Sequence, residues 1–410
     1  MLPLIGLLAL QVVAVKVFKK TSPNGKLTVY LGKRDFVDRL DGVVDPIDGV
    51  VVVDNEYLKN RQVYGQVATT FRYGREDDEV MGLKFSKEMV LCKDLIVPQT
   101  NKRQRDLSAL QERLISKLGD SQNVFPFNFR LPDTAPPSVT LAAGDSDAGR
   151  PLGVEYELKA LAADNESDPG HRRSTVSLRI RKVQYAGLER GKKQPSTLVS
   201  KSFTFSPGKI TLEVTLDRDI YYHGEDMAAQ VQVVNSSKKT VRGIKVMVMQ
   251  HCEVTMVNAQ FAKQVAHLES REGCPITPGA SLTKAFHLNP SARNNKDKRG
   301  IALDGHLRDE DVNLASSTLT ANNTNDALGF VVSYSLRVKL DLGTLGGELT
   351  ADLPLKLVHP GPEGLPTEGK GKTVERQKYE KQCYAKDDED ENIIFEDFAK
   401  LRMSMSEIEK

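Results

Sequence analysis

The chain has 410 residues, with 57 Lys+Arg against 55 Asp+Glu and a formal net charge of +2. Its length can bury a sizeable core, and 39% hydrophobic with 27% charged residues excludes a disordered or fibrous chain. The near-zero charge balance excludes a uniformly basic nucleic-acid binder, and four scattered cysteines (Cys92, Cys252, Cys274, Cys383) exclude a disulfide scaffold.

Residues 1–15 carry no charge. They are too few to span a bilayer, which needs about 20 apolar residues. Their flanking lysines Lys16, Lys19 and Lys20 follow the apolar run, whereas a secretory signal carries its charge before it. The segment therefore reads as an atypical apolar extension, and the sequons at Asn165, Asn235 and Asn322 would matter only in a secreted chain.

From there to about residue 358, alternating apolar and polar residues recur between turn signals. The clearest stretches are 26–31, 50–53, 153–161, 175–184, 209–216, 243–249, 329–340 and 348–358. In 153–161, Val154, Tyr156, Leu158 and Ala160 fall on one face, as a half-buried antiparallel strand requires. So many short strands exceed one sandwich and predict an all-β chain of two packed β-sandwich domains, 16–186 and 201–358. Residues 187–200 lack apolar periodicity and are read as the connector.

One segment breaks the pattern. Residues 108–118 place Leu110, Leu114 and Leu118 four apart, Ser108 and Gln111 have capping-box spacing, and Gly119 follows as a stop. A lone amphipathic helix must bury its stripe, and packing on its own sheet is the simplest solution.

Beyond residue 358 a linker rich in Pro, Gly, Glu and Lys leads to a nearly all-acidic run at 386–391. The apolar cluster Ile393, Ile394, Phe395 and Phe398 then reads as a linear docking motif. Residues 386–410 hold nine acids and four bases, a net −5, which leaves +7 on residues 1–385. The basic side is concentrated at 16–34, with six bases and no acid, and Lys102, Arg103, Arg105, Arg113 and Lys117 add to it around the helix. Such clusters suit phosphate groups. Lysines that merely protect a strand edge would give the same pattern.

Enzyme signatures are missing. The seven histidines have no metal-ligand spacing, no GxSxG elbow occurs, and the P-loop-like 364–371 has Gly371 where Ser or Thr must hold magnesium. No cofactor is expected.

The stretches 17–36 (VFKKTSPNGKLTVYLGKRDF), 53–64, 71–82, 110–119, 176–185, 219–224 (DIYYHG), 299–317 and 395–400 together resemble an arrestin, in order and at family spacing. The resemblance runs from about Lys16 to the tail, while the first dozen residues depart from it. It implies two cupped immunoglobulin-like β-sandwich domains, one short amphipathic helix, and an extended C-terminal tail at 359–410 folded back on the first domain. The FEDFAKLR stretch is similar to arthropod photoreceptor arrestins. Phosphorylated, light-activated rhodopsin or a related G-protein-coupled receptor is then the implied partner. Clathrin adaptor β-subunit, inositol phosphates and peripheral membrane contact are further implied partners. The expected location is cytoplasmic, with recruitment to the photoreceptor membrane. A trafficking scaffold for other receptors is the alternative reading.

The resemblance assigns roles residue by residue. Lys16, Lys19, Lys20, Arg34, Lys117 and Arg308 match receptor-phosphate positions. Asp35, Arg181, Asp304, Asp311 and Lys400 match a buried polar core, with Lys400 where the family usually has arginine. The alternation of 175–184 taken alone puts Arg181 in solvent. Val17, Phe18, Leu110, Leu114, Leu118, Ile393, Phe395 and Phe398 match a three-element clasp. Tyr73, Gly74, Arg75, Glu76, Asp77, Asp78, Glu79, Val80, Met81 and Gly82 match the receptor-entering finger loop. Phe395, Phe398 and Arg402 fit the adaptor-binding motif, and the loop carrying Leu342 and Leu345 is a candidate membrane contact.

Overall fold

The computed structural model describes residues 15–39, 45–98, 107–119, 123–132, 134–144, 147, 149–186, 193–204, 206–305, 312–318, 329–344, 346–360 and 393–397. The first half holds β1 (Val15–Thr21), β2 (Leu27–Leu31), β3 (Asp35–Arg39), β4 (Ile47–Val53), the one-turn α1 (Asn55–Leu58), β5 (Gln62–Arg72) and β6 (Ser86–Val97). Then come α2 (Ala109–Leu118), β7 (Val124–Phe129), β8 (Val139–Leu141), β9 (Gly153–Ala163) and β10 (Thr175–Ala186). The second half holds β11 (Ser196–Phe203), β12 (Ser206–Leu216), β13 (Ile220–Tyr222), β14 (Met227–Asn235) and β15 (Gly243–Val254). It continues with β16 (Ala259–Ser270), β17 (Ser281–Leu288), β18 (Ala302–Asp304), β19 (Phe330–Asp341) and β20 (Glu348–Pro360), and β21 (Ile393–Asp397) closes the series.

Alternation decides which face each strand buries. In β14, Met227, Ala229, Val231 and Val233 are buried while Gln230 and Gln232 are exposed, so one face meets the core. The first sandwich packs the sheet β21-β1-β2-β4-β7 against a sheet containing β10-β9-β5-β6, and the second packs β11-β12-β14-β17 against β16-β15-β19-β20. Among the described residues, two pairings join one sandwich to the other. The end of β10 pairs with the end of β20, Tyr185 opposite His359, and β18 pairs with β8, Asp304 opposite Val139.

The strand β11 begins inside the segment read as a connector. Its residues alternate between exposed and half-buried, with Val199 and Phe203 packed on the core. The half-buried face also carries Thr197 and Lys201, and the exposed face carries Leu198, so no clean apolar alternation shows in the sequence.

Helix α2 forms as its sequence dictates. Ser108 and Gln111 complete a reciprocal capping box, and Gly119 ends the helix at φ 76°, where glycine meets no Cβ penalty. Its stripe packs on the outer face of its own sheet, Leu110 and Leu114 against Val17, Tyr30, Val50 and Val124. Gly32 makes this approach possible, because a Cβ there would lie 2.5 Å from a Leu110 methyl. The buried Gln111 amide pins the helix by donating to the carbonyls of Gly49 (3.1 Å) and Phe127 (2.7 Å).

Candidate functional site

Strand β10 pairs with antiparallel β9 up to Ile180 and with parallel β3 from Arg181 onward. That change of partner sets Arg181 directly opposite Asp35. The guanidinium donates through Nε to Asp35 Oδ1 at 2.8 Å and through Nη2 to Oδ2 at 2.7 Å, while Nη1 reaches the Gly305 carbonyl at 3.2 Å. Arg181 is largely buried, with its side chain 17% exposed, against the alternation-only expectation of a solvent residue. Burial works against its charge, but the hydrogen bonds and field of Asp35, with the field of Asp304, outweigh it and raise its pKa.

Asp304 ends β18 and is buried between two imidazoles. Its Oδ1 accepts from the Ser316 amide at 3.1 Å, Oδ2 contacts His359 Nε2, and His223 Nε2 lies 4.0 Å from Oδ2. Burial lowers the His223 pKa to about 4 despite the nearby carboxylate, so the ring is neutral at pH 7. Neither histidine was singled out in the sequence, because their spacing from Asp304 forms no local motif. Among the described residues these three side chains are the group able to hold a metal ion.

The cations of the basic stretch divide between two surfaces. Lys20 Nζ donates to the Ser177 carbonyl at 2.5 Å and Arg34 Nε to the Arg179 carbonyl at 3.0 Å, on the part of β10 that β3 does not reach. Arg34 also stacks over the Phe18 ring. Lys19 instead lies over the Tyr30 ring at 5.9 Å, and Lys117 is exposed on α2. Lys16 sits on β1 opposite Ile394, and Arg308 lies outside the described residues, as do Asp311, Lys400, Phe398 and Arg402.

The clasp residues are placed by strand geometry. Val17 joins the helix cluster, whereas Phe18, its neighbour on the opposite face of β1, packs against the sandwich core. Leu118 is half-buried beside Leu114. Strand β21 lies parallel to β1, with Ile393 opposite Val15, Phe395 opposite Val17 and the acidic Asp397 opposite Lys19.

Residues 73–82 lie in the connection from β5 to β6, which runs from 73 to 85. Their base is fixed by an Arg72–Glu79 pair at 2.8 Å and by Glu79 accepting from the Phe85 amide. Arg75 pairs with Asp78 and, at 3.6 Å, with Asp147, which also binds Arg299 at 2.6 Å. Gly74 packs on Phe85, Glu76 accepts from the Arg150 amide at 2.8 Å, and Asp77 lies within the single-turn helix Glu76–Asp78. The tip exposes Val80 and Met81, with Gly82 in the left-handed region. Leu342, read as a membrane contact, is instead buried in the core, and Leu345 lies outside the described residues. Among the described residues no helix is long and apolar enough to cross a membrane. The sequon residue Asn235 is buried, its amide donating to two carbonyls.

Two β-sandwiches joined through a shared sheet, with a C-terminal strand returned to the first, define a two-domain scaffold that covers one of its own edges. Residues 27–186 match the arrestin (or S-antigen) N-terminal domain, and residues 206–362 match the C-terminal domain. The chain is 63% identical to an arrestin homolog of Locusta migratoria, over 99% of this chain and 100% of that one. It is 58% identical to Phosrestin-1 of Drosophila melanogaster (96% and 98% of the two chains) and 53% identical to the lateral-eye arrestin of Limulus polyphemus (98% of each). The chain belongs to the arrestin family.

Proposed function

We propose that this protein is a visual arrestin, a non-catalytic signalling adaptor. It binds light-activated, phosphorylated rhodopsin and blocks coupling to the G protein, ending phototransduction. The observation that carries this reading is the placement of the tail strand on the basic edge strand, with Asp397 in register beside Lys19 and the Arg181–Asp35 pair close by in β10. An anion with several charges can compete for Lys19, Lys20 and Arg34, and two oxygens of a phosphate can meet the planar Arg181 fork at two points, as Asp35 now does. Tail and ion pair would then yield together. The finger loop, with its exposed Met81 and Val80, is the segment that would enter the receptor cavity. The protein acts in the cytoplasm and is recruited to the photoreceptor membrane.

A second output rests on Phe395, which lies in β21 beside β1. Release of the tail would free the Phe395–Phe398–Arg402 motif for the clathrin adaptor β-subunit. Inositol phosphates would use the same basic surface. The deciding experiment is a light-dependent pull-down on phosphorylated and unphosphorylated rhodopsin membranes. Retention on illuminated, phosphorylated membranes supports the assignment. Equal retention on all membranes, or adaptor binding without receptor binding, would favour the trafficking scaffold.

A further inference from the structure

We propose that His223, Asp304 and His359 form a site for one divalent transition-metal ion of the zinc class at the junction of the two sandwiches. The three residues come from separate elements: the turn after β13, the end of β18 and the end of β20. Their ligand atoms all lie within 4.8 Å of one another. Around a tetrahedral zinc with bonds of about 2.0–2.1 Å, ligand atoms sit about 3.3 Å apart. The closest pair here is tighter than that, and the 4.0 Å between His223 Nε2 and Asp304 Oδ2 is wider. Side-chain shifts of about an ångström bring all three onto one ion.

The chemistry selects the class of ion. Two imidazole nitrogens and one carboxylate oxygen suit zinc, cobalt or nickel, whereas magnesium and calcium demand oxygen ligands. The single carboxylate supplies the negative charge that imidazole ligands lack. The surroundings are built as supporting contacts to a metal site usually are. The Ser316 amide orients Asp304 through Oδ1, and the His223 amide donates to the Val358 carbonyl at 3.1 Å, tying one ligand to the residue before the other. Ser316 Oγ, 3.0 Å from His223 Nε2, is placed to become the fourth ligand or to hold a water there. The ligand side chains are only 6%, 5% and 13% exposed, so solvent competes little for the ion.

Such an ion would add metal–ligand bonds between three chain segments otherwise joined by hydrogen bonds, ring contacts and the apolar packing of Ile220 and Tyr222 on Val358. It would also draw on the Asp304 carboxylate, whose field now acts on Arg181.

The test uses the full chain, stripped of metal, titrated with zinc against a chromophoric chelator. We expect one zinc per chain, with His223→Gln and His359→Gln each weakening uptake at least about tenfold. His267→Gln, an exposed histidine on β16, should leave uptake unchanged. Cobalt should give the visible bands of a tetrahedral site in the wild type, and the double glutamine variant should lose them. X-ray absorption on the zinc-loaded wild type needs no variant and should read imidazole nitrogen without sulfur. No stoichiometric uptake by the wild type, undiminished uptake by the double variant, or sulfur scattering from the free cysteines would each overturn the proposal.

Discussion

Arg181 and Asp35 are direct register partners in the parallel pairing of β10 with β3, so the backbone itself holds their two-point ion pair in place. Neither side chain has to search for the other. The pair is also asymmetric: Arg181 is 17% exposed and Asp35 42%, so an incoming anion meets the carboxylate side first.

Reversing one charge should therefore remove the need for phosphate. Arg181→Glu sets two carboxylates opposite each other and should bind illuminated, unphosphorylated rhodopsin membranes at least several-fold better than the wild type. Breaking a fully buried pair costs about 3–5 kcal/mol, and the exposure of Asp35 reduces that figure. Asp35→Arg combined with Arg181→Asp should restore much of the phosphate dependence. A pull-down in which Arg181→Glu keeps full phosphate dependence would remove the pair from the mechanism.

Ending the chain at residue 392 deletes β21 and bares the edge of β1. Binding to unphosphorylated, illuminated membranes should rise, and amide hydrogen exchange along residues 15–19 should quicken relative to the full chain. Unchanged exchange would mean that the parallel pairing contributes no protection in solution.

Met81 projects fully into solvent at the tip of the loop between β5 and β6. Met81→Ala should change stability by no more than about 0.5 kcal/mol, as is usual for exposed positions. Retention on illuminated, phosphorylated membranes should nevertheless fall. A loss of both in parallel would assign Met81 to folding instead.

Gln111→Ala should destabilise the first sandwich strongly for an apparently polar change. It removes the side-chain donor shared by the Gly49 and Phe127 carbonyls at a buried position, at about 1–3 kcal/mol. Leu114→Ala beside it opens a cavity at a fully buried position and should cost about 2–5 kcal/mol. Urea unfolding midpoints of the two variants measure both effects.

The helix and the strands with one buried face were legible because alternation and capping are local. Ser108, Gln111 and Gly119 carry their instructions within eleven residues of each other, and β14 displays its buried face outright. Strand β11 was hidden because its half-buried face mixes Thr197 and Lys201 with Val199 and Phe203 while Leu198 stands on the exposed face, so burial alternates but polarity does not. The burial of Arg181 was legible only through family resemblance, since its strand presents Arg179 to solvent two residues earlier. The same alternation places Lys182 on the apolar face, where it is buried and donates to the Ala135 carbonyl. His223 and His359 reach Asp304 through the meeting of β13, β18 and β20, a tertiary fact with no sequence period.

Under the proposed function, the pairing of β21 with β1 would make the tail a tethered competitor of receptor phosphates. A strand on the same chain faces its groove at an effective concentration in the millimolar range, however dilute the protein is. A receptor bearing one phosphate would then compete poorly. A receptor presenting several closely spaced phosphates would gain from each in turn and cross the barrier steeply. Length of tether and number of charges would then set a threshold, and occupancy would answer how many phosphates a receptor carries more sharply than whether it carries any.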